Sequence, residues 1–329
     1  VNAPATPAES AAPVVFWAAV PARSALLVEG ADAVRFLDNF TTASLARLAV
    51  GGGTEGFFAD GRGHVLAVAS LLRTPDGIWI DAAPGLAPRL REHLEHYHIR
   101  EAVSFRDASA ERAAFLVQGR DAAAWLARQT GGTLPPNTLA HGGTTLGDIP
   151  TTLVATDWYG PGGWLAIVAA ADAEGMAAWL DTTGLPQRSL ADIDAARIDA
   201  GSPEPHDIPP KALPQELGRD GRAICFTKGC YLGQETVARL DALGHVNRRL
   251  VGVVTTNAAP PEVHADVMLD GAAVGTITSA CRSPTLGTGL GLAIVHVRAL
   301  AAGAAPTLAG AAVRLVPLPV GSADPETEA

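Results

Sequence analysis

The order of hydrophobic and polar positions predicts a mixed α/β unit that occurs twice and is followed by an all-β segment. Apolar β-type runs fill residues 14–28. Residues 32–39 then read as a helix with Val34, Phe36 and Leu37 on its apolar side. Gly51-Gly52-Gly53 predicts a loop. The runs 65–72 and 77–81 predict two strands joined by Thr74-Pro75-Asp76-Gly77, residues that favour a tight reversal. Leu86, Leu90, Leu94 and Tyr97 lie near helical spacing over 86–97, and 103–105 is a further short strand. From Ala113 a similar order begins again: a strand at 114–117, a helix at 121–129, strands at 153–157 and 164–169 around the turn 159–163, and a helix at 171–180. This predicts an internal structural repeat, with no repeat at the level of residue identity.

Residues 192–200 read as a helix. The stretch 201–227 is rich in Pro and Gly and has little periodicity; a loop this long inside a compact protein is usually functional or a linker. From Leu250 onward, short β-rich runs at 250–255, 267–269, 273–277, 291–297 and 312–316 are separated by turn residues, which predicts a small antiparallel barrel or sandwich. The expected organisation is a disordered lead-in (1–13), an α+β domain (14–112, completed in part by residues of 201–249) and a second α+β domain (113–200). A connecting segment (201–249), a β-domain (250–318) and a flexible tail (319–329) follow.

Composition narrows the function classes. Of 329 residues, 48% are hydrophobic and 18% charged, enough for a core without disulfide staples and too apolar for a disordered chain. The formal charge is −10, and no Lys/Arg run exceeds Arg248-Arg249, so direct nucleic-acid binding is not expected. Lys211 and Lys228 are the only lysines, which makes each worth a question. Three cysteines, Cys225, Cys230 and Cys281, fit a reducing compartment, and a cytoplasmic location is expected. No run approaches 18 apolar residues, so no membrane partner is expected. No secretory pattern opens the sequence.

The stretch Lys228-Gly229-Cys230-Tyr231-Leu232-Gly233-Gln234-Glu235 carries the most information. Gly229 and Gly233 let the backbone turn tightly and approach a ligand. Residues 235–243 have helix-forming composition, which sets Cys230 just before a helix N-terminus with Lys228 two residues away. That arrangement favours a thiolate, or an anionic ligand group such as a carboxylate. The plainer alternative makes Cys230 a small buried hydrophobe and Lys228 a surface charge. The spacing of the cysteines is not that of a zinc knuckle, and no fourth ligand for a cluster is evident, so no metal site is expected. His93 and His96 share a helix face near His98, but a solvated face accounts for them. Gly287-Thr288-Gly289-Leu290-Gly291 lacks the strand–turn–helix context of a dinucleotide site and reads as a barrel turn.

The same Lys228–Glu235 stretch, K-G-C-Y-x-G-Q-E, resembles the signature of the YgfZ family of folate-binding proteins, relatives of the glycine-cleavage T-protein, an aminomethyltransferase. Flanking residues extend the resemblance: Ile208-Pro209-Pro210, Ile224-Cys225-Phe226 and Val246-Asn247-Arg248-Arg249-Leu250. So do Arg197-Ile198-Asp199-Ala200-Gly201-Ser202-Pro203, the N-terminal Val28-Glu29-Gly30-Ala31-Asp32-Ala33 with Phe36-Leu37, and Gly275, Ile277-Thr278-Ser279 and Leu290-Gly291-Leu292-Ala293 toward the C-terminus. The resemblance covers residues from about 14 to 318. It implies a T-protein-like α+β fold: two related α+β domains plus a C-terminal antiparallel β-barrel around a central hole. It implies tetrahydrofolate, or a one-carbon derivative, bound in that hole. It also implies a role in assembly or repair of iron–sulfur clusters in client enzymes, one of which thiomethylates transfer RNA.

Under this resemblance Cys230 is the candidate functional thiol, with Lys228 beside it. Arg197, Asp199, Lys228, Gly229, Cys230, Tyr231, Gln234 and Glu235 are the candidate folate-binding residues. Two features of T-proteins are missing. Their acidic pair near the first hairpin falls on Ala67 and Val68, and their carboxylate-bearing turn corresponds to Trp158-Tyr159-Gly160-Pro161-Gly162-Gly163-Trp164. Both losses argue against aminomethyl transfer. The main expectation is thus a folate-binding accessory protein with no turnover assigned. The alternatives are an aminomethyltransferase and a non-catalytic folate-sensing or docking module.

Overall fold

The computed structural model describes residues 15–132, 134–244 and 246–320. The expected lead-in and all of the tail beyond residue 320 lie outside the described residues. Strand β1 (Phe16–Val20) precedes a first unit of β2 (Ser24–Glu29), α1 (Ala33–Asp38), β3 (Gly53–Ala59), β4 (Val65–Arg73), β5 (Gly77–Ala82), α2 (Ala87–Tyr97) and β6 (Ser104–Asp107). The second unit is β7 (Arg112–Gln118), α3 (Ala122–Thr130), β8 (His141–Leu146), β9 (Ile149–Thr156), β10 (Gly163–Ala169) and α4 (Ala173–Thr182).

The repeat expected from the pattern is present as topology. The sheets run β6-β2-β5-β4-β3 and β1-β7-β10-β9-β8, and their strand pairs are antiparallel. In each, the unit's opening strand lies second from one edge, flanked by its fourth strand. The edge beside the opening strand is filled differently. The first unit uses its own β6. The second uses β1, which pairs Phe16 with Gln118 through Val20 with Ala114. Residues 16–20 therefore lie in the sheet of the second unit, across the boundary expected at 112/113. Hydrophobic pattern reports which face of a strand is buried, not which strand it pairs with.

Two strands depart from the expected elements. Gly53 opens β3 instead of ending a loop, and β8 (His-Gly-Gly-Thr-Thr-Leu) shows no apolar alternation. Glycine disfavours strands, and here pairing with β4 and β9 overrides that preference.

Alternation along the strands divides the core. One face of the first sheet, with Leu26, Val28, Leu71, Ile78 and Ile80, packs against Phe36 and Leu37 of α1 and Leu90 and Leu94 of α2. The second sheet does the same with α3 and α4 through Trp125, Leu126, Met176 and Leu180. A fully buried Leu or Ile of this kind contributes about 1.5–3 kcal/mol. The opposite faces, with Leu27, Leu72 and Trp79 from one sheet and Leu116, Val154 and Leu165 from the other, meet in a shared central cluster.

The connecting region holds α5 (Leu190–Asp199), the short α6 (Asp220–Ala223) and α7 (Gln234–Leu243). The remaining strands, β11 (Arg248–Val254), β12 (Asp266–Leu269), β13 (Ala272–Arg282), β14 (Gly289–His296), β15 (Thr307–Leu308), β16 (Ala311–Ala312) and β17 (Arg314–Val316), form a seven-stranded, nearly closed antiparallel barrel of order β16-β15-β12-β13-β14-β11-β17. Val251, Val253, Ile277 and Val295 fill its interior, while Leu250, Leu292 and Ile294 join the central cluster.

Buried charges fasten the parts together. Arg197 of α5 donates to Asp207 at 2.9 Å and to Ser279 of the barrel at 2.9 Å, and Asp207 is fully buried. Glu55 of β3 pairs with Arg219 through both carboxylate oxygens and lies 3.3 Å from Arg222, whose other partner is Asp157 at 2.6 Å. The segment that carries Arg219 and Arg222 is thereby tied to both α+β units.

Candidate functional site

A cavity of about 2130 Å³ opens between the second unit, the connecting region and the barrel. The second unit contributes Gln118, Asp157 and the turn Tyr159–Gly162, and α5 contributes Asp192 and Asp199. The connecting region contributes residues 217–222 with Gln215, and the barrel contributes Arg249, Arg282 and Arg314. Among the described residues, none of 24–112 lines it; the first unit supports the wall from behind, with Glu55 holding Arg219 and Arg222.

The walls carry two kinds of polar group. Seven arginines (120, 188, 219, 222, 249, 282 and 314) face four aspartates (157, 192, 199 and 220), so the lining is positive in a chain of formal charge −10. Deeper groups are acceptors. Gln118, Gln215 and Asp199 are each less than a tenth exposed, and each has a buried oxygen without a hydrogen-bond partner. The two amides cannot turn round to hide these oxygens. The Gln118 amide nitrogen donates to the Tyr159 carbonyl at 2.7 Å and the Gln215 nitrogen to the Val237 carbonyl at 2.7 Å. Both partners are carbonyls, so nitrogen must face them and oxygen must face away. Asp199 accepts from the Thr285 backbone through Oδ2, which leaves Oδ1. Asp220 likewise has a buried Oδ1 without a partner. Burial pushes its carboxyl up to about 6; Arg249 opposes the shift and Asp241 adds to it. Unpaired buried acceptors are costly, and their concentration on one cavity marks a place for a ligand that donates hydrogen bonds.

The Lys228–Glu235 stretch lies elsewhere. None of these residues lines the cavity. The stretch forms a loop docked on the first unit, with the Leu232 amide donating to the Asn39 carbonyl at 2.9 Å and the Cys225 amide to the Thr42 carbonyl at 2.9 Å. Lys228 crosses under this loop. Its Nζ donates to the carbonyls of Asp38 (2.6 Å), Thr41 (3.0 Å) and Ala43 (2.6 Å) and lies 3.3 Å from the Asp38 carboxylate. Only 1% of the side chain is exposed. Burial lowers its pKa against the opposing pull of Asp38. The ammonium is thus occupied as a cap on residues 38–43.

Tyr231 is buried with its ring 5.3 Å from that ammonium, and burial followed by the nearby Cys225 pushes its phenol up to about 12. Cys225 also contributes to the Lys228 electrostatics, so it is the thiol on the lysine side of the loop. Gly229 and Cys230 are exposed. Gly233 caps the N-terminus of α7 with φ +82°, and a Cβ there would stand 2.6 Å from the Asp60 carbonyl, which only glycine avoids. Gln234 and Glu235 occupy the first turn of α7, with Glu235 exposed.

Of the other two expected ligands, Asp199 reaches the cavity and Arg197 does not. Arg197 is 3% exposed and is consumed by Asp194, Asp207, Ser202 and Ser279. Gln118, Gln215, Asp220 and Arg249 line the cavity without having been singled out as ligands. The Pro/Gly-rich, aperiodic stretch 201–227 is the segment that holds Gln215 and Asp220. Ala67 and Val68 are buried in strand β4, and the carboxylate-free turn 158–164 supplies cavity wall.

Comparison with known proteins agrees with this architecture. The family model described as the glycine cleavage T-protein C-terminal barrel domain matches residues 248–317. The chain is 32% identical to an aminomethyltransferase of Streptomyces avermitilis over 177 residues, 51% of this chain and 46% of that protein. It is 28% identical to an aminomethyltransferase of Herpetosiphon aurantiacus over 287 residues, covering 84% and 77% of the two chains. It also matches a chloroplastic protein of Arabidopsis thaliana at 26% identity, over 77% of this chain and 58% of that one. The chain thus spans about half the length of the Streptomyces and Arabidopsis relatives. The crystal structure of the glycine cleavage system aminomethyltransferase T from Bartonella henselae superposes with a TM-score of 0.80 at 21% identity, covering 93% of this chain and 86% of that one. The fold is T-protein-like, and sequence similarity relates the chain to aminomethyltransferases of this type. Among the described residues, no helix is long and apolar enough to cross a membrane.

Proposed function

We propose that this chain binds tetrahydrofolate, or a one-carbon derivative of it, in the cavity between the second unit and the barrel. We further propose that it acts as an accessory protein in the assembly or repair of iron–sulfur clusters in client enzymes. The observation that carries the folate reading is the cavity's division into orphaned acceptors and arginines. A folate has a flat head rich in N–H donors and a carboxylate-bearing tail, which suit Asp199, Gln118 and Gln215 on one hand and the arginines on the other. The residues therefore fit the group. When bound, folate would supply a carrier for a one-carbon unit. The chain's part is to bind and orient it and to exclude water from the head.

The accessory role is supported by the K-G-C-Y-x-G-Q-E loop with its exposed Cys230, which lies where a partner protein can reach it. Lys228 supports that loop from beneath. Aminomethyl transfer is the second reading, favoured by the names of the relatives in Streptomyces and Herpetosiphon. Against it stands the apolar pair Ala67 and Val68 at the expected acidic position.

Calorimetric titration with tetrahydrofolate, anaerobic and reduced, tests the first part. Saturable binding that Arg249→Ala weakens supports the cavity; no binding refutes it. Restoration of iron–sulfur enzyme activity in a deletion strain by the native chain, and not by Cys230→Ala, tests the second. Turnover with an aminomethyl-loaded lipoyl carrier would favour transfer instead.

A further inference from the structure

Asp220 has chemistry that its surroundings do not use. It lies at the cavity wall on α6, between two arginines that point to other partners: Arg219 to Glu55 and Arg222 to Asp157. Its Oδ1 is buried and unpartnered, although charged groups on two neighbouring elements act on the carboxyl. Arg249 faces it from β11 and Asp241 from α7. Glu55 on β3 is held by Arg219, and Glu216 in the preceding turn is held by Arg248 at 2.9 Å. Gln215 belongs to that same turn, and its Oε1 is turned away from Val237 and unpartnered. One segment therefore sets two residues on the cavity wall, each with a buried acceptor oxygen that no donor satisfies. A buried carboxyl oxygen without a hydrogen-bond donor is a needless cost unless something arrives to pair with it.

We propose that Asp220, together with Gln215, reads the donor edge of a bound pteridine head, accepting hydrogen bonds from its ring N–H and exocyclic amino group. This rests on the folate reading and adds to it the residues that recognise the head. It assigns the contact to the connecting segment and not to the turn 158–164, which has no carboxylate. The ionised form of Asp220 is the acceptor, so binding strengthens as pH rises through the carboxyl's titration near 6. At that pH the binding event expels a fraction of a proton.

The test uses the full chain with two probes, a tail-less pterin such as 6-hydroxymethylpterin and the head-less 4-aminobenzoylglutamate. Asp220→Asn is expected to weaken the pterin about ten-fold at pH 7.5, the cost of losing one charge-assisted contact, and to flatten its pH profile. Affinity for aminobenzoylglutamate should stay unchanged. Equal pterin affinity and equal pH profiles for Asp220→Asn and the native chain would overturn the assignment. Should the native chain bind neither the pterin nor tetrahydrofolate, the folate reading itself fails, a different outcome. If Asp220→Asn does not fold, titration of the native chain in buffers of unlike ionisation enthalpy decides: expulsion of about half a proton at pH 6 supports the assignment, and none overturns it.

Discussion

Replacing Lys228 by Met keeps the length of the side chain and removes its charge and donors. In the native chain the ammonium serves three carbonyls of the 38–43 loop and the Asp38 carboxylate from a position 1% exposed. Each hydrogen bond to a charged group is worth about 1.5–3 kcal/mol, and an acceptor left buried and unpaired costs a similar amount. The three contacts share one cation, so they do not add; water can also reach part of the loop once it loosens. The expected loss is about 3–5 kcal/mol, comparable to breaking a buried ion pair. Urea unfolding followed by tryptophan fluorescence should show a lower midpoint with an unchanged slope. Hydrogen exchange should accelerate over 38–43 and 228–233 if the loop opens by itself. Folate affinity at saturating stability should be unaffected, because Lys228 is not on the cavity. A Lys228→Met protein as stable as the native chain but deficient in folate binding would refute the capping role.

Other consequences can be checked with similar means. Arg197→Met should cost about 3–5 kcal/mol because it strands the fully buried Asp207, and adding Asp207→Asn should recover part of that loss in a double-mutant cycle of urea midpoints. Thiol labelling at pH 8 should modify exposed Cys230 first. Cys281 should react only after denaturation, since burial, with Asp199 and Asp194 adding, pushes its thiol up to about 12. Asp220 holds its proton in the folded state up to about pH 6 and releases it near its ordinary value when unfolded. The native chain should therefore lose stability as pH rises from about 4 to 6. Asp220→Asn should remove this loss and be ~1–2 kcal/mol more stable than the native chain at pH 7.5, with the difference vanishing near pH 4. Melting curves across that range decide.

Much of the secondary structure was legible because long amphipathic elements announce themselves. Leu90 and Leu94 mark α2, and Trp164 to Ala169 marks β10. The barrel was legible for the opposite reason, as short β-runs broken by turn residues. β3 and β8 were not, because glycines and a buried Glu55 hide their pattern and only pairing stabilises them. The partner of β1 could not be read at all, since strand pairing between distant segments leaves no local trace. For the site, chemistry at Asp199 was visible while its companions were not. Gln118 and Gln215 are ordinary amides until the fold fixes their nitrogens against carbonyls. Lys228 and Arg197 drew attention as cations, but a sequence does not say whether a cation will meet a ligand or the chain's own carbonyls and carboxylates.

The pairing of β1 with β7 also has a bearing on the order in which the chain can fold. Paired residues lie about a hundred positions apart, whereas β2 to β6 form a contiguous stretch. As the chain leaves the ribosome, the first unit can complete its sheet while Trp17 and Ala18 still wait for a strand that has not been made. The second unit then closes around a segment synthesised before the first unit existed. Such a contact carries a large loop-closure entropy and belongs among the late, slow steps of folding. It also interlocks the two units, so that severing the chain near residue 112 separates β1 from the sheet it completes and leaves β7 with an open edge.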